Sequence, residues 1–422
     1  MRGVVQHRRS RRAFKSGRRT HKVLREGTHR SQNVEVTLRH VLRLAPIMGI
    51  TRMANVTGLD SVGIPVVMVC RPNSRSVAVS QGKGIDLASA RASGLMEAAE
   101  LYHAETITLP LSLATYEQLR YQHNVVQVDE LPRESGSRFQ PNLRLLWCEG
   151  FDLLSGENVF VPYEMVHTNY TMPLPDGHGC FTASSNGLAS GNQLVEAIGQ
   201  AICEVIERDA TTLWKLRGEE KLKDNRLDLE SVDDRICREI LGKFDRAGVC
   251  VAVWDITSDV GIAAFACFIV PRTDNTMWHC MVGTGYGCHP ARQVALARAL
   301  TEAAQARLTV ISGGRDDFHR DAYDQWLDPD LVRAMRRRMT RSGPTRRFGD
   351  VPHRDGETLE DDVDWELKRL KKVGISRVVV VDLTKPELGL PVVRVIAPGL
   401  ESILGRGYSP GRRGRLILAK QP

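Results

Sequence analysis

The sequence predicts a mixed α/β (α+β) protein, because Val- and Ile-rich runs alternate with Ala-rich helical patterns along most of its 422 residues. A second observation is a weak internal repeat, in which a glycine-rich segment precedes an Ala-rich helix three times. A third is the hydrophobic fraction of 42%, which is sufficient for a sizeable buried core. Together these observations predict an enzyme-like body with several β-sheets.

Short apolar runs bounded by glycine, proline or charged residues predict the strands. They lie at residues 64–70, 250–256, 261–270, 277–283 and 376–383. Residues 362–374 have an amphipathic pattern that ends at a glycine, which predicts a helix leading directly into the last of these strands.

The three repeats lie at residues 80–101, 185–208 and 282–307. We interpret the glycine-rich part of each as a turn that opens the following helix. Polar groups recur at positions i, i+4 and i+7 of each helix. They are Ser93, Glu97 and Glu100, then Gln200, Glu204 and Glu207, then Arg298, Glu302 and Gln305. Three matches of this kind predict helices that converge on a common site.

The second repeat carries an acidic stripe along its helix. At about 100° per residue, Glu196, Gln200, Glu204 and Glu207 fall within about 80° of one another, and the apolar residues occupy the other face. A solvated acidic face is one interpretation, since exposed carboxylates repel only weakly. The stripe contains no lysine, however, and two pairs of carboxylates on two helices suit Mg²⁺ and a nucleotide. From the residues alone both interpretations remain open.

The predicted nucleotide site does not include a P-loop, because the sequence contains no G-x-x-x-x-G-K-[ST] motif. Lys83, in the segment Q-G-K-G that precedes the first of the three helices, remains a candidate for contact with phosphate oxygens.

Combined, these motifs resemble the nucleotide-binding core of the YcaO-like family. The resemblance rests on S-N-G-L-A-S-G-N at 185–192 with Glu196, Gln200, Glu204, Glu207 and Arg208, and on Q-G-K-G with Ser93, Glu97 and Glu100. Segments 48–67, 302–317 and 382–401 agree as well, so that the resemblance spans residues 25–405.

The resemblance implies a YcaO-like fold around a central ATP site, with ATP and Mg²⁺ as cofactors. It implies an enzyme that phosphorylates the oxygen of a peptide backbone amide as a nucleophile attacks. The carboxylates expected to hold Mg²⁺ and to serve catalysis are Glu97, Glu100, Glu204 and Glu207. The residues expected to contact ATP are Ser93, Asn192, Glu196, Gln200 and Arg208, with Lys83 and Arg307 as further candidates for the phosphates.

Two departures from the common family pattern indicate the branch. Leu101 follows Glu100, where many members have arginine, and this version resembles the branch that works with a TfuA-type partner. The chain ends in I-L-A-K-Q-P, without the P-x-P-x-P of azoline-forming cyclodehydratases. The resemblance therefore implies thioamide formation with external sulfur, a TfuA-like partner and a peptide or protein substrate. The alternatives are azoline formation on Cys, Ser or Thr, and a non-catalytic nucleotide- or RNA-binding accessory protein.

The net charge of +8 is unevenly distributed, since ten Lys and Arg residues precede the first acidic residue, Glu26. Further basic runs lie at 336–347 and 411–415. We interpret residues 1–24 as a flexible basic tail, 25–405 as the catalytic domain and 406–422 as a second basic tail. A contact with RNA or an acidic partner through these tails is the less favoured interpretation.

The remaining features concern compartment and assembly. There is no apolar run of about 18 residues and no signal-peptide pattern, so no membrane association is expected. Nine cysteines without a C-x-x-C pair predict reduced thiols and a cytoplasmic protein. The family resemblance also implies that the chain can form a homodimer.

Overall fold

The computed structural model describes residues 19–175, 177–218, 224–273, 282–315, 317, 320–321, 323, 328–341, 343–404 and 407–420. Its helices are α1 (Val34–Leu44), α2 (Leu87–Glu105), α3 (Tyr116–Gln122), α4 (Leu194–Leu216), α5 (Arg235–Arg246), α6 (Arg292–Ser312), α7 (Pro329–Arg341), α8 (Leu359–Lys372) and α9 (Arg412–Leu418). Its strands are β1 (Arg52–Asn55), β2 (Val66–Cys70), β3 (Val79–Lys83), β4 (Leu111–Thr115), β5 (Arg144–Asp152), β6 (Asn158–Pro162), β7 (Leu188–Ser190), β8 (Leu227–Asp228), β9 (Val249–Asp255), β10 (Ala264–Pro271), β11 (Gly283–Cys288), β12 (Arg346–Arg347), β13 (Val379–Asp382) and β14 (Val392–Ile396).

The chain divides into two compact units. The described residues of the first unit fall in 19–22, 99–217 and 356–420, and those of the second in 23–98 and 218–355. Helix α2 begins in the second unit and ends in the first, because the boundary follows Ala98.

The first unit is built on an antiparallel sheet with the strand order β4-β5-β13-β14-β7, and β6 pairs with β5. Strands β13 and β14 are buried along their whole length. Helix α4 packs on β14 and β7, and α8 packs against α4. The buried face of α4 is apolar and includes Ala197, Ile198, Ala201, Ile202 and Val205. Burial of this face fixes the rotation of the helix and therefore the direction of its acidic stripe.

The second unit contains two antiparallel three-stranded sheets, β1-β2-β3 and β11-β10-β9, and the short parallel pair β12 and β8. Helix α6 packs on β11, β10 and β3, and α5 packs on α6. The core between them is apolar and includes Ile240, Val253, Phe265 and Leu300. These sheets and helices confirm the predicted mixed α/β class.

The structure places most predicted strands where the sequence indicates them. The runs at 64–70, 250–256, 261–270 and 376–383 contain β2, β9, β10 and β13. Of the run at 277–283, residues 277–281 lie outside the described residues. The helix expected at 362–374 begins three residues earlier, at Leu359, because Thr358 and Asp361 form a capping box.

The interpretation of the glycine-rich segments as turns is wrong for two of the three repeats. Gly82 lies in β3, and Gly285 and Gly287 lie in β11. Each of these strands runs directly beneath the helix that follows it. A methyl group on Gly82 would overlap the carbonyl oxygen of Ala90 in α2, and one on Gly285 would overlap that of Ala299 in α6. The glycines therefore permit close approach of helix and strand backbones.

Two basic residues within the predicted tails are paired with buried carboxylates. Lys22 is buried and its Nζ lies 2.7 Å from Asp362 Oδ2. At the other end of the chain, Arg413 Nε donates to Asp209 Oδ1 at 2.9 Å, and α9 forms within the predicted C-terminal tail. Residues 1–18 lie outside the described residues. The sequence of a basic segment does not show whether carboxylates that are distant in the chain neutralise its charge.

The cysteines of the described residues are free thiols. In the same part of the chain, none of the helices combines the length and the apolar character needed to cross a membrane.

Gly285→Ala tests the close approach of β11 and α6. The new methyl group collides with helix backbone, so we expect the free energy of unfolding to fall by about 1–3 kcal/mol in urea denaturation. Gly349→Ala is the matched control, because no atom lies within 4 Å of the position its methyl group would take. Equal stabilities of the two variants would contradict the packing argument.

Candidate functional site

The acidic stripe of helix α4 does not face bulk solvent. Glu196 is 4% exposed and Glu207 is 9% exposed, and Glu204 is half-buried. Repulsion between carboxylates is far stronger in such surroundings than on a solvated face. A solvated acidic face is therefore the weaker interpretation, and the stripe needs a compensating cation.

Glu100 meets the start of this helix within the first unit. Its Oε1 accepts hydrogen bonds from the backbone N of Ser190 at 2.9 Å and from the Ser190 hydroxyl at 2.6 Å. Two residues later, Asn192 Nδ2 donates to Glu196 Oε1 at 3.1 Å. Strand β7 and the turn into α4 thus give hydrogen-bond partners to three predicted site residues of this unit, with Ser190 on Glu100 and Asn192 on Glu196.

Arg208 is the cation nearest in sequence to the stripe. Its Nη2 lies 3.6 Å from Glu204 Oε1, and its Nη1 lies 3.8 Å from Glu207 Oε1. Both distances exceed those of good hydrogen bonds, so these two contacts are electrostatic and offset part of the negative charge. The Arg208 side chain is 29% exposed, which leaves it accessible to a phosphate group.

The donor set of this unit fits a hard cation. The carboxylates of Glu100, Glu204 and Glu207 offer oxygen atoms, and the buried Oε1 of Gln200 has no hydrogen-bond partner among the described residues. Oxygen ligands of this kind suit Mg²⁺, which binds carboxylates together with water and phosphate.

The second unit holds the other predicted residues. Lys83 ends β3 and forms an ion pair with Glu302 of α6. The other carboxylate oxygen of Glu302 accepts a hydrogen bond from the backbone N of Tyr286 at 3.2 Å. Ser93 and Glu97 are half-buried on the part of α2 that packs over β3. The partner of Lys83 is therefore Glu302, a residue of the third repeat for which the sequence predicted no specific role.

Arg307 has a different setting from the one expected of a phosphate ligand. Its Nε and Nη2 both donate to Asp60, each at 2.9 Å, and both side chains are 5% exposed. A buried bidentate pair of this geometry braces α6 against the turn after β1. Contact of Arg307 with phosphate stays a prediction, and the pair with Asp60 is the role that the structure shows.

Arg394 is a charged residue near the site that the sequence argument missed. It lies in β14, is 1% exposed, and interacts electrostatically with Glu204. Burial lowers the pKa of Arg394 to about 10, while Tyr170 and Glu204 act in the opposite direction, so the side chain stays cationic near neutral pH. The sequence feature that could have identified Arg394 is a single arginine within the apolar strand V-V-R-V-I.

Comparison with known proteins identifies relatives of the chain as a whole. A family model described as YcaO cyclodehydratase, ATP- and Mg²⁺-binding, matches residues 81–401. An uncharacterized protein in the tfuA 3′ region of Rhizobium leguminosarum bv. trifolii is 40% identical over 370 residues, which cover 85% of this chain and 86% of the relative. An uncharacterized protein of Methanothermobacter thermautotrophicus is 34% identical over 383 residues, or 88% of this chain and 94% of the relative.

Two solved structures share the fold. YcaO from Methanopyrus kandleri, bound with AMPPCP and Mg²⁺, matches with a TM-score of 0.72 at 24% identity, covering 90% of this chain and 95% of that one. A heterocyclase in complex with substrate and cofactor matches with a TM-score of 0.76 at 24% identity over 94% of this chain. This chain spans 55% of the length of that heterocyclase.

The family model and the relatives together settle the class of protein. The family model is described as ATP- and Mg²⁺-binding, and residues 81–401, which it matches, make up most of the chain. The chain belongs to the YcaO family, as the resemblance of its motifs indicated, and the family description confirms ATP and Mg²⁺ as the cofactors.

Arg307→Met tests the brace with Asp60. The substitution leaves a buried carboxylate without its cation, so we expect the free energy of unfolding to fall by about 3 kcal/mol in urea denaturation. Adding Asp60→Leu should restore part of the loss, because an apolar pair of similar volume carries no desolvation cost. Additive losses in the double variant would contradict the pairing.

The matched control for this prediction is Arg333→Met, which removes an exposed arginine paired with Asp330 in α7. Its effect on the free energy of unfolding should stay below about 0.5 kcal/mol.

Proposed function

We propose that this protein activates a backbone amide of a peptide by ATP- and Mg²⁺-dependent phosphorylation of the amide oxygen, and that the product is a thioamide. The observation that supports the activation chemistry best is the partly buried row of carboxylates on α4, in a chain of the YcaO family. ATP supplies the phosphoryl group that converts the amide oxygen into a leaving group. The residues of the chain bind, orient and neutralise charge.

The proposed metal ligands are the four glutamates of the two acidic helices. They are Glu97, Glu100, Glu204 and Glu207. Mg²⁺ would supply the positive charge that these carboxylates need and would neutralise the phosphates of the nucleotide. Ser190 already orients one oxygen of Glu100 through two hydrogen bonds, so that part of the ligand set is preorganised.

The proposed nucleotide contacts are the remaining predicted residues of the site. They are Ser93, Asn192, Glu196, Gln200 and Arg208, with Lys83 and Arg307 for the phosphates. The side chains of Lys83 and Arg208 are 23% and 29% exposed, so both can exchange a carboxylate partner for a phosphate oxygen. Arg307 is the weakest member, because its bidentate pair with Asp60 is buried.

Thioamide formation is the favoured reaction for three reasons. Leu101 follows Glu100, as in the TfuA-associated branch that this chain resembles. A relative with 40% identity is described as lying in the tfuA 3′ region. Six of the eight cysteines among the described residues are buried, so an exposed sulfur carrier within that part of the chain is not apparent. Sulfide would therefore come from outside, with a TfuA-like protein as partner.

The proposed step balances without an oxidant. Hydrosulfide adds to the amide carbon, and the resulting oxyanion attacks the γ-phosphorus of ATP, with ADP as the leaving group. The carbon–oxygen bond then breaks, phosphate leaves, and loss of the sulfur-bound proton forms the carbon–sulfur double bond. Azoline formation differs only in the nucleophile, which is a Cys, Ser or Thr side chain of the peptide itself.

Glu207→Ala should abolish ATP hydrolysis while the protein stays folded, because it removes one proposed Mg²⁺ ligand from a carboxylate-rich site. ATP turnover is measured with saturating Mg²⁺, and folding by circular dichroism and the melting temperature. Glu117→Ala is the matched control, since Glu117 is an exposed glutamate of α3 paired with Arg120. Retained turnover in Glu207→Ala would refute the metal assignment.

The nucleophile is identified by the mass of the product. The protein is incubated with ATP, Mg²⁺, sulfide, the TfuA-like partner and a candidate substrate peptide, and the peptide is analysed by mass spectrometry. We expect one amide oxygen to be replaced by sulfur, in a reaction that stops when sulfide is omitted. Loss of one water without incorporation of sulfur would favour the azoline reaction instead.

A further inference from the structure

Two buried histidines join the ends of an exposed loop in the first unit. His167 is 1% exposed and His178 is 8% exposed, whereas Tyr170 and Met172 between them are 39% and 79% exposed. His167 Nε2 lies 2.5 Å from His178 Nε2, and the ring centroids are 4.8 Å apart. Neither histidine belongs to the acidic site, so this contact across the neck of the loop requires its own explanation.

The hydrogen bonds around the pair assign the proton of each ring. The backbone N of Asn169 donates to His167 Nδ1 at 3.0 Å, so that nitrogen is an acceptor and the proton of neutral His167 is on Nε2. His167 Nε2 therefore donates to His178 Nε2, and the proton of neutral His178 is on Nδ1. Both acceptor nitrogens are thus occupied. A further proton can bind only where one of these two hydrogen bonds breaks.

A metal ion between the two rings does not fit this pattern. Metal binding through Nε2 of a neutral imidazole requires the proton on Nδ1, where it is normally donated to an oxygen. At His167 that position faces the N–H group of Asn169, which is itself a donor. The hydrogen bonds therefore favour two neutral rings joined by one N–H···N contact.

Glu164 holds the chain immediately after the pair. Its carboxylate accepts hydrogen bonds from the backbone N of Gly179, Cys180 and Phe181 at 2.6, 3.2 and 3.1 Å. No imidazole takes part in these three bonds, so they do not depend on the state of the pair.

Arg394 of β14 holds the chain on both sides of the pair. Its Nε donates to the carbonyl oxygen of Met165 at 2.7 Å, and its Nη2 donates to that of Ser184. The base of the segment therefore stays attached to the sheet when the two rings separate.

Two guanidinium groups oppose a further proton on the closed pair. Arg138 Nη2 donates to the carbonyl oxygen of His178 at 3.1 Å, and the charge of Arg394 acts on His167. Burial, together with the charges of His178 and Arg394, lowers the pKa of His167 to about 4. The closed pair is thus held in its neutral form at neutral pH.

The neighbouring elements carry several other titratable groups. They are Tyr163, Glu164, Cys180 and, on the last turn of α2, His103 and Glu105. The ring of Tyr163 stacks on that of His167 at 4.6 Å between centroids, and burial raises the pKa of the Cys180 thiol, so both groups stay neutral near neutral pH. His103 Nδ1 lies 2.7 Å from the carbonyl oxygen of Ala99 in its own helix.

We propose that the hydrogen bond between His167 and His178 is a proton-sensitive latch, which closes the loop between them while both rings are neutral and opens it when protons bind. The pair thus couples the conformation of an exposed loop to pH. The proposal concerns the first unit alone and goes beyond the proposed function, because it depends on neither ATP nor the metal ligands.

Opening of the latch takes up protons. In the open loop each imidazole has an ordinary pKa of about 6.5, whereas the pKa of His167 in the closed pair is about 4. Opening therefore becomes more favourable as the pH falls below about 6.5. Between about pH 7.5 and 5.5, each released imidazole multiplies the opening equilibrium by about ten, so two rings multiply it by about a hundred.

Amide hydrogen exchange of the protein without ATP, resolved to single residues by electron-transfer fragmentation, tests the latch. The Asn169 amide is bound by His167 Nδ1, so its protection, corrected for the intrinsic exchange rate, should fall about a hundredfold between about pH 7.5 and 5.5. The amides of Cys180 and Phe181 are bound by Glu164 and should keep their protection within about twofold.

His178→Gln removes one titrating ring and keeps an oxygen that can accept from His167 Nε2. The fall in protection at Asn169 should then shrink from about a hundredfold to about tenfold. The matched control is His123→Gln, which replaces an exposed histidine of the same unit and should leave the hundredfold change in place.

Unchanged protection of Asn169 in wild type would overturn the proposal, as would an equal loss at Cys180 and Phe181, which indicates general loosening. A tenfold fall that is the same in wild type and His178→Gln would assign the titration to His167 alone and would equally overturn it. If His178→Gln does not fold, wild type decides, because a change of about a hundredfold requires two released rings. Since no nucleotide is present, none of these outcomes bears on the proposed function.

Discussion

The crowding of carboxylates on one face of helix α4 is the constraint on which the rest of this structure depends. The apolar face of the helix packs on β14 and β7, and this packing keeps Glu196 and Glu207 buried and Glu204 half-buried. Like charges held in such surroundings require counter-charges at fixed positions. Asn192 donates a hydrogen bond to Glu196, Arg208 of the same helix lies near Glu204 and Glu207, and Arg394 of β14 adds a further positive charge. The proposed Mg²⁺ would complete the same balance.

The fold uses the same close packing of a helix on a glycine-containing strand more than once. Glycines in β3 and β11 remove the side chains that would separate α2 and α6 from the strands beneath them. The helices that result carry polar residues at matching positions. The repeat in the sequence is therefore a repeat of a packing unit, and the polar positions follow from the face that each helix leaves uncovered.

Local patterns in the sequence were sufficient for strands β2, β9, β10 and β13, for helix α8 and for the acidic stripe, because period and capping are properties of short segments. They were insufficient where the partner is distant in the chain. In the sequence alone, the glycines of β11 resemble turn residues, and only the structure shows that α6 packs over them. Arg413 likewise resembles a solvated cation, and only the structure shows its pair with Asp209. Arg394 was not predicted for the same reason, since its carbonyl partners lie more than 200 positions away in the chain.

The anchoring of helix α9 has a practical consequence for work with this protein. Asp209 directly follows Arg208 in the acidic helix, and its fully buried carboxylate is held by two hydrogen bonds from Arg413. A change that frays α9 would leave this buried carboxylate without its cation, directly beside the acidic stripe. The integrity of α9 is therefore a condition for an undisturbed acidic helix in any variant of this protein.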